Sequence, residues 1–340
     1  MQDYEEHDGL GLAALVREGE LTATTLLDAA IERCEKRNPA VNAVVIPMLE
    51  QARAAITAGL PEGPFRGVPF LLKDLHASVP GVRTTYGAAL FADHVPELES
   101  ELVARYRRAG LVIFGKTHSP ELGLTTTSES RLFGQTRNPW HLERTAGGSS
   151  GGAAAAVAAG IVPLAHATDG GGSIRVPASC CGVFGLKPTR GRTPMGPEVG
   201  EGWSGMSAQH AVSRSVRDSA ALLDATHGPD PGAPYAAQPP ARPFLEEIGA
   251  SPGALRIALQ TETWNGAPTH PSCVEAARDS AALCESLGHH VEEARFEIDL
   301  EPYREATTTI IGASVRATLE DRARALGREL RPEDVEPGTW

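Results

Sequence analysis

The sequence has few cysteines, and none of them forms a motif. Its 340 residues contain five, which are Cys34, Cys180, Cys181, Cys273 and Cys284. The number is odd and no C-x-x-C pair occurs, which argues against a zinc site or a thioredoxin-like redox centre. We therefore expect reduced thiols and a cytoplasmic location.

Basic charge and long apolar runs are also scarce. Lysine and arginine number 31 against 43 aspartates and glutamates, a net charge of -12, whereas phosphate contacts need a clustered basic face. The longest nearly apolar stretch, residues 153–167, is shorter than the roughly 20 residues that cross a bilayer, and the acidic N-terminus lacks the pattern of a secretory signal. No nucleic-acid partner and no membrane partner are expected.

Motifs for metals and nucleotides are missing too. The eleven histidines are scattered and no H-E-x-x-H spacing occurs. The phosphate-binding pattern G-x-x-x-x-G-K-[ST] is absent as well. The sequence therefore predicts neither a metal site nor a cofactor.

The pattern of apolar residues predicts an α/β fold. The first sixty residues contain helical patterns and one short β-prone run, and we predict that residues 1–60 form a helical entry segment. From residue 61 onward short apolar runs alternate with helices, which is typical of a mixed, largely parallel central sheet covered by helices on both faces. We expect residues 255–292 to continue the same sheet. The principal predicted elements cover residues 22–37, 68–72, 98–108, 111–114, 151–159, 163–167, 183–186 and 216–226.

Two dense glycine clusters carry serines at predicted loop ends. Residues 147–152 contain Ser149 and Ser150, and residues 168–175 contain Ser173. Glycine lets the backbone approach a ligand closely, so these clusters suggest N–H groups directed at an anion, either a phosphate or an oxyanion. A flexible linker is the alternative interpretation.

The flanks of the clusters argue against a linker. Apolar helix and strand patterns adjoin both clusters, and Asp169 and Arg175 bracket the second one as a potential buried ion pair. Upstream, Lys73 ends an apolar, strand-like run. Burial of a lysine there lowers its pKa, and a neutral lysine is a competent general base.

These stretches together resemble the amidase signature family, in the order and at the spacings of that family. The resemblance covers nearly the whole chain from about residue 10, including residues 115–121, 137–140 and 182–191. It implies that Ser173 is the nucleophile that attacks an amide carbonyl and forms an acyl-enzyme. Ser149, which follows a cis peptide in the family, would pass the proton from Ser173 to Lys73.

The resemblance also implies an oxyanion hole and supporting residues. Gly170, Gly171 and Gly172, with the N–H of Ser173, are the expected donors of the hole. Many family members have a larger residue where this chain has Gly170, which suggests a hole that is either more mobile or roomier. Ser150 is expected to support the loop, with a plain helix N-cap as the alternative. Asp169 and Arg175 are the other supporting residues.

The sequence leaves several functions open. Residues 42–47, 68–75 and 334–340 resemble the branch of the family that acts on 6-aminohexanoate cyclic dimers, whereas residues 119–124 differ from the amidotransferase subunits. Family chains run well beyond the point that matches Trp340, so we expect a C-terminal truncation. The alternatives to a free-standing active amidase are a catalytically inactive or unstable fragment, a binding module and an amidotransferase-type amidase subunit. The expected partners are a small-molecule amide substrate and, through surface left exposed, a second copy in a homodimer.

Overall fold

The computed structural model of the protein describes residues 2–340, apart from the side chain of Gln2. Its helices are α1 (Gly9–Arg17), α2 (Ala23–Val41), α3 (Leu49–Ala58), α4 (Glu101–Arg108), α5 (Gly151–Ala158), α6 (Arg175–Cys181), α7 (Val216–Thr226), α8 (Phe244–Glu247), α9 (Pro271–Ser286) and α10 (Leu300–Ala325). Its strands are β1 (Val44–Pro47), β2 (Pro69–Lys73), β3 (Val112–Thr117), β4 (Glu129–Ser130), β5 (Gly134–Gln135), β6 (Arg137–Asn138), β7 (His141–Thr145), β8 (Leu164–Asp169), β9 (Phe184–Gly185), β10 (Ala208–Ser213), β11 (Arg256–Leu259) and β12 (His290–Glu293). None of these helices is both long enough and apolar enough to span a membrane.

The central sheet is mixed. Its strand order is β1-β3-β2-β8-β10-β9. Strand β2 runs parallel to both β3 and β8, while the β1–β3, β8–β10 and β10–β9 pairs are antiparallel. The predicted α/β fold with a mixed central sheet is confirmed; two of the five strand pairings are parallel and three are antiparallel.

Strand β10 accounts for two of those antiparallel pairings, and the sequence patterns did not predict it. Its centre holds Gln209 and His210, so it lacks the apolar run that marks a buried strand. Both side chains are nevertheless buried, because each has a hydrogen-bond partner. Gln209 Oε1 lies 3.0 Å from His166 Nε2, and His210 Nε2 lies 2.8 Å from Ser219 Oγ.

Helix α2 shows how local residues set the bounds of an element. Thr22 caps its N-terminus, with its hydroxyl oxygen accepting the N–H of Thr25 at 3.0 Å. The predicted end before Asn38-Pro39 is too early, because Pro39 lies in the last turn and helix α2 continues to Val41. Asn42 then ends it in the left-handed conformation, with φ of 50°.

The chain forms two compact units. One comprises the residues up to Ile248 together with Val315–Trp340 and contains the central sheet, and the other is Gly249–Ser314. In the second unit β11 and β12 pair in parallel with each other as a separate two-stranded sheet, so the expectation that residues 255–292 continue the central sheet is wrong.

The N-terminal residues 1–60 do not coincide with a unit of their own. Within them, β1 pairs with β3 of the central sheet, and Leu26 and Leu27 of α2 are buried in the same hydrophobic core as β2 and β3. The predicted boundary at residue 60 therefore differs from the division at Ile248.

Candidate active site

Lys73 lies at the carboxyl end of β2, and its side chain is fully buried. Burial lowers its pKa from 10.5 to about 7, although the nearby carboxylate of Asp169 acts in the opposite direction. An ammonium group loses its hydration in such surroundings, so the neutral amine becomes accessible near neutral pH. The predicted burial of Lys73 is confirmed.

Two hydroxyl groups contact the Lys73 amine. Its Nζ lies 2.7 Å from Ser149 Oγ and 2.8 Å from Thr168 Oγ1. A neutral amine has a lone pair as well as N–H donors. It can therefore donate to Thr168 and accept the proton of Ser149, which is the arrangement that a general base needs.

Ser149 and Ser150 lie in the loop that leads into α5. The Gly148–Ser149 peptide is cis, and Ser149 is buried. Ser150 Oγ accepts the N–H of Thr168 and donates to the carbonyl oxygen of Thr168, both at 3.2 Å. The Ser150 side chain makes no capping hydrogen bond to α5. Ser150 thus joins its loop to the end of β8, which matches the expected supporting role better than the N-cap alternative.

Asp169 organises the second glycine cluster. Its buried carboxylate accepts the N–H groups of Gly172 at 2.8 Å and Ile174 at 3.1 Å, and it accepts two hydrogen bonds from the Arg175 guanidinium, both at 2.9 Å. Burial alone would raise the pKa of Asp169, but these hydrogen bonds hold it below its usual value. The predicted ion pair is present, although it is buried only on the Asp169 side because the Arg175 side chain is 54% exposed.

The glycines of this cluster differ in what their N–H groups do. The Gly172 N–H donates to Asp169, so Gly172 is not available as a donor to an oxyanion in this arrangement. This corrects the sequence prediction for that residue. The N–H groups of Gly170, Gly171 and Ser173 make no hydrogen bond to any of residues 2–340, and they stay candidates for the oxyanion hole.

Ser173 lies on the loop between β8 and α6 and is partly exposed. The Ser150 N–H donates to the carbonyl oxygen of Ser173 at 3.2 Å, which connects the two serine loops. Within the described chain, Ser173 Oγ makes no hydrogen bond to Ser149. The structure therefore brings Lys73, Ser149 and Thr168 into one hydrogen-bonded group, with Ser173 on the adjoining loop.

Two residues near Lys73 were not singled out from the sequence. Thr168 contacts the amine, and His166 Nδ1 accepts the backbone N–H of Lys73 at 3.1 Å. The proton of His166 must then lie on Nε2, which contacts Gln209 Oε1 at 3.0 Å. Burial lowers the pKa of His166 to about 3, and the Lys73 charge contributes. A signal existed, since polar residues at the same end of neighbouring strands meet at one edge of a sheet.

Among residues 2–340, no group of three or more histidine, cysteine, aspartate or glutamate side chains is arranged as a metal site. The five cysteines are free thiols.

Comparison with known proteins defines the class to which this fold and this buried lysine–serine pair belong. The Amidase family profile matches residues 25–335. The 6-aminohexanoate-cyclic-dimer hydrolase of Paenarthrobacter ureafaciens is 42% identical over 343 residues, covering 98% of this chain and 68% of that protein.

Two solved structures of amide hydrolases have the same fold as this chain. The structure of a 6-aminohexanoate cyclic dimer hydrolase complexed with substrate superposes with a TM-score of 0.94 at 40% identity, covering 99% of this chain and 71% of the other. A bacterial aryl acylamidase of the amidase signature family superposes with a TM-score of 0.90 at 29% identity, covering 98% and 71%.

The fold and the site thus define a hydrolase that acts on carbon–nitrogen bonds. The chain belongs to the amidase signature family, and its activity is the hydrolysis of an amide bond.

Proposed function

We propose that the protein hydrolyses its amide substrate through an acyl-enzyme on Ser173. Ser173 Oγ attacks the carbonyl carbon while its proton moves to Ser149 Oγ, and the Ser149 proton moves to Lys73 Nζ. The proton then returns through Ser149 to the leaving nitrogen as the carbon–nitrogen bond breaks. A water molecule, activated by the same relay, hydrolyses the ester and releases the acid.

The observation that carries this proposal is the contact of 2.7 Å between the buried Lys73 amine and Ser149 Oγ. A lysine with a pKa of about 7 is divided between its two protonation states near neutral pH, which suits a group that accepts and returns one proton per step. The Ser150 N–H bond to the Ser173 carbonyl keeps the two serine loops adjacent, and catalytic hydrogen bonds often tighten when substrate binds.

The N–H groups of Gly170, Gly171 and Ser173 are the proposed oxyanion hole. They carry partial positive charge on a loop that the Asp169 carboxylate fixes in shape, so little reorganisation is needed when the tetrahedral oxyanion forms. Loss of one donor of this kind typically costs about 3 to 4 kcal/mol of transition-state stabilisation.

The proposed substrate is a linear or cyclic amide, and 6-aminohexanoate cyclic dimer is the first compound to assay, because the relatives described above carry that name. The five free cysteines support a cytoplasmic enzyme. A homodimer is the proposed assembly, supported by large apolar side chains exposed on the chain, among them Leu283 and Leu287. Light scattering tests the assembly.

Fluorophosphonate labelling tests the proposed mechanism. The reagent should phosphonylate Ser173 Oγ with loss of fluoride, and digestion with mass spectrometry locates the modified peptide. Ser173→Ala should abolish the label, and Lys73→Met should slow it by about 100-fold or more, since general-base catalysis contributes ~10² to 10⁴. Lys116→Met is the matched control, because Lys116 is also fully buried but makes no contact with Ser149.

Absence of labelling in the folded wild-type chain would refute the mechanism and leave a catalytically inactive amidase fold. Equal slowing by Lys73→Met and Lys116→Met would show that loss of any buried lysine has the same effect, and would remove Lys73 from the relay.

A further inference from the structure

The indole ring of Trp203 lies directly against Gly170. A Cβ atom added to Gly170 would lie 2.6 Å from Cε3 and 2.7 Å from Cζ3 of Trp203. These separations are too short for non-bonded carbon atoms, so the ring fills the space that a side chain at position 170 would need. The expectation that Gly170 makes this region roomier is therefore wrong, because Trp203 occupies the space.

The neighbouring glycine faces open space. A Cβ atom added to Gly171 would meet no atom of the described residues within 4 Å. The glycine cluster before Ser173 is thus covered by an aromatic ring at one residue and free at the next.

The sheet register explains why Trp203 reaches this loop. Strand β8 ends at Asp169 and the antiparallel strand β10 begins at Ala208, and these two residues are paired. Residues just before Ala208 therefore run beside residues just after Asp169. The register thus brings the turn before Ala208 close to the loop that holds Gly170, and the Trp203 ring lies against that loop.

The backbone that holds Trp203 is tightly turned. Trp203, Ser204 and Gly205 have φ values of 50°, 52° and 76°, and a non-glycine residue in this region costs about 1 to 2 kcal/mol. Two hydrogen bonds of 3.1 Å close the turn, from Met206 N–H to the Trp203 carbonyl and from Ser207 N–H to the Gly202 carbonyl. Strain of this kind concentrates at functional sites, where the surrounding structure enforces it.

We propose that Trp203 is a specificity-determining residue, forming the wall on the acyl side of the active site. The proposal rests on the proposed function of Ser173 and of the oxyanion hole. With the carbonyl oxygen held by the glycine loop, a branch on the carbon next to the carbonyl would meet the indole over Gly170. Slim, unbranched acyl chains pass along the open side at Gly171. The substrate class is therefore amides of linear aliphatic acids.

Two 4-nitroanilides whose acyl groups have the same number of carbon atoms test this selectivity. The wild-type chain should cleave the butyryl compound with higher kcat/KM than the isobutyryl compound, which differs only in its branch. Trp203→Ala should raise the isobutyryl to butyryl ratio by about tenfold or more, because one methyl group in a pocket changes discrimination by ~10- to 200-fold. Trp203→Phe should give an intermediate ratio. It replaces Trp203→Ala as the test variant if Trp203→Ala does not fold.

A second comparison tests the contact itself. Gly170→Ala should lower kcat/KM, and adding Trp203→Ala should restore part of it, because removal of the ring makes room for the new methyl group. Trp264→Ala removes a different indole, half exposed in the Gly249–Ser314 unit; it is the control and should leave the acyl ratio unchanged.

Fluorophosphonate labelling of Ser173 distinguishes failure of the proposed function from failure of the role assigned to Trp203. If wild-type Ser173 takes no label, the proposed function fails. If Ser173 is labelled but the isobutyryl to butyryl ratio is the same in wild type, Trp203→Ala and Trp203→Phe, the proposed function is retained. The role assigned to Trp203 is then wrong. A double variant no better than Gly170→Ala would also overturn it.

Discussion

Protonation of Lys73 should set the acid limb of the activity profile. Its pKa of about 7 means that one pH unit lower roughly a tenth of the molecules retain the neutral amine. The protonated amine has no lone pair for the Ser149 proton, so kcat/KM should be near its plateau at pH 8 and about tenfold lower at pH 6. Without burial the same limb would lie near pH 10.4.

Other groups near the site titrate at different pH values. Burial lowers the pKa of His76 to about 4, with a contribution from the Lys73 charge, and that of His166 to about 3, so neither changes charge between pH 6 and 8. Burial also raises the pKa of Asp74 to about 6 and lowers that of Lys116 to about 8. Titration of either of these two buried groups near the site could produce a similar fall in kcat/KM at acid pH.

The assay is kcat/KM for a cleaved amide from pH 5 to 9, with circular dichroism at each pH to confirm that the chain is folded. Lys116→Met and Asp74→Asn should leave the limb near pH 7, since burial and the Asp169 carboxylate are what shift the pKa of Lys73. A flat profile over this range, or a limb that moves by a full unit in Lys116→Met, would refute the reasoning.

Three further substitutions test the loops around the relay. Thr168→Val removes the hydroxyl bonded to Lys73 and should lower kcat by about fivefold with little change in KM, since a hydrogen bond contributes ~1 kcal/mol; an unchanged kcat would contradict this. Asp169→Asn should slow fluorophosphonate labelling about 100-fold, because the charge that orders the glycine loop is lost, and a wild-type rate would dismiss that role. Gly172→Ala should lower the unfolding free energy in urea more than Gly171→Ala, since Gly172 has φ of 126°; equal values would contradict the strain argument.

The elements with clear apolar patterns could be predicted from the sequence. Strand β2 lies within one residue of its predicted bounds, helix α5 ends one residue earlier than predicted, and α7 has the predicted bounds. The fold buries most of the apolar residues that form these patterns, including Leu222 and Leu223 of α7, although Val216 at the start of α7 is exposed. Strand β10 could not be predicted in this way, because its central polar residues become acceptable only when partners from β8 and α7 reach them.

The site could be predicted only as far as neighbouring residues determine it. The glycine clusters indicated Ser149 and Ser173, because a local backbone pattern surrounds each serine, and the family resemblance implied that both act with Lys73. Thr168 is 95 positions from Lys73, and their contact depends on the parallel pairing of β2 with β8. No local pattern encodes that register, which is set by burial of both strands in one core.

The glycine run before Ser173 shows the limit most clearly. Gly170, Gly171 and Gly172 are identical in the sequence, and the family resemblance implies one common role for them in the oxyanion hole. In the structure Gly170 is covered by Trp203, Gly171 faces open space, and the Gly172 N–H is bound to Asp169. These differences depend on residues outside the run, so the fold determines how the three glycines differ. The residues that determine an active site therefore include those that determine which of its donors stay free.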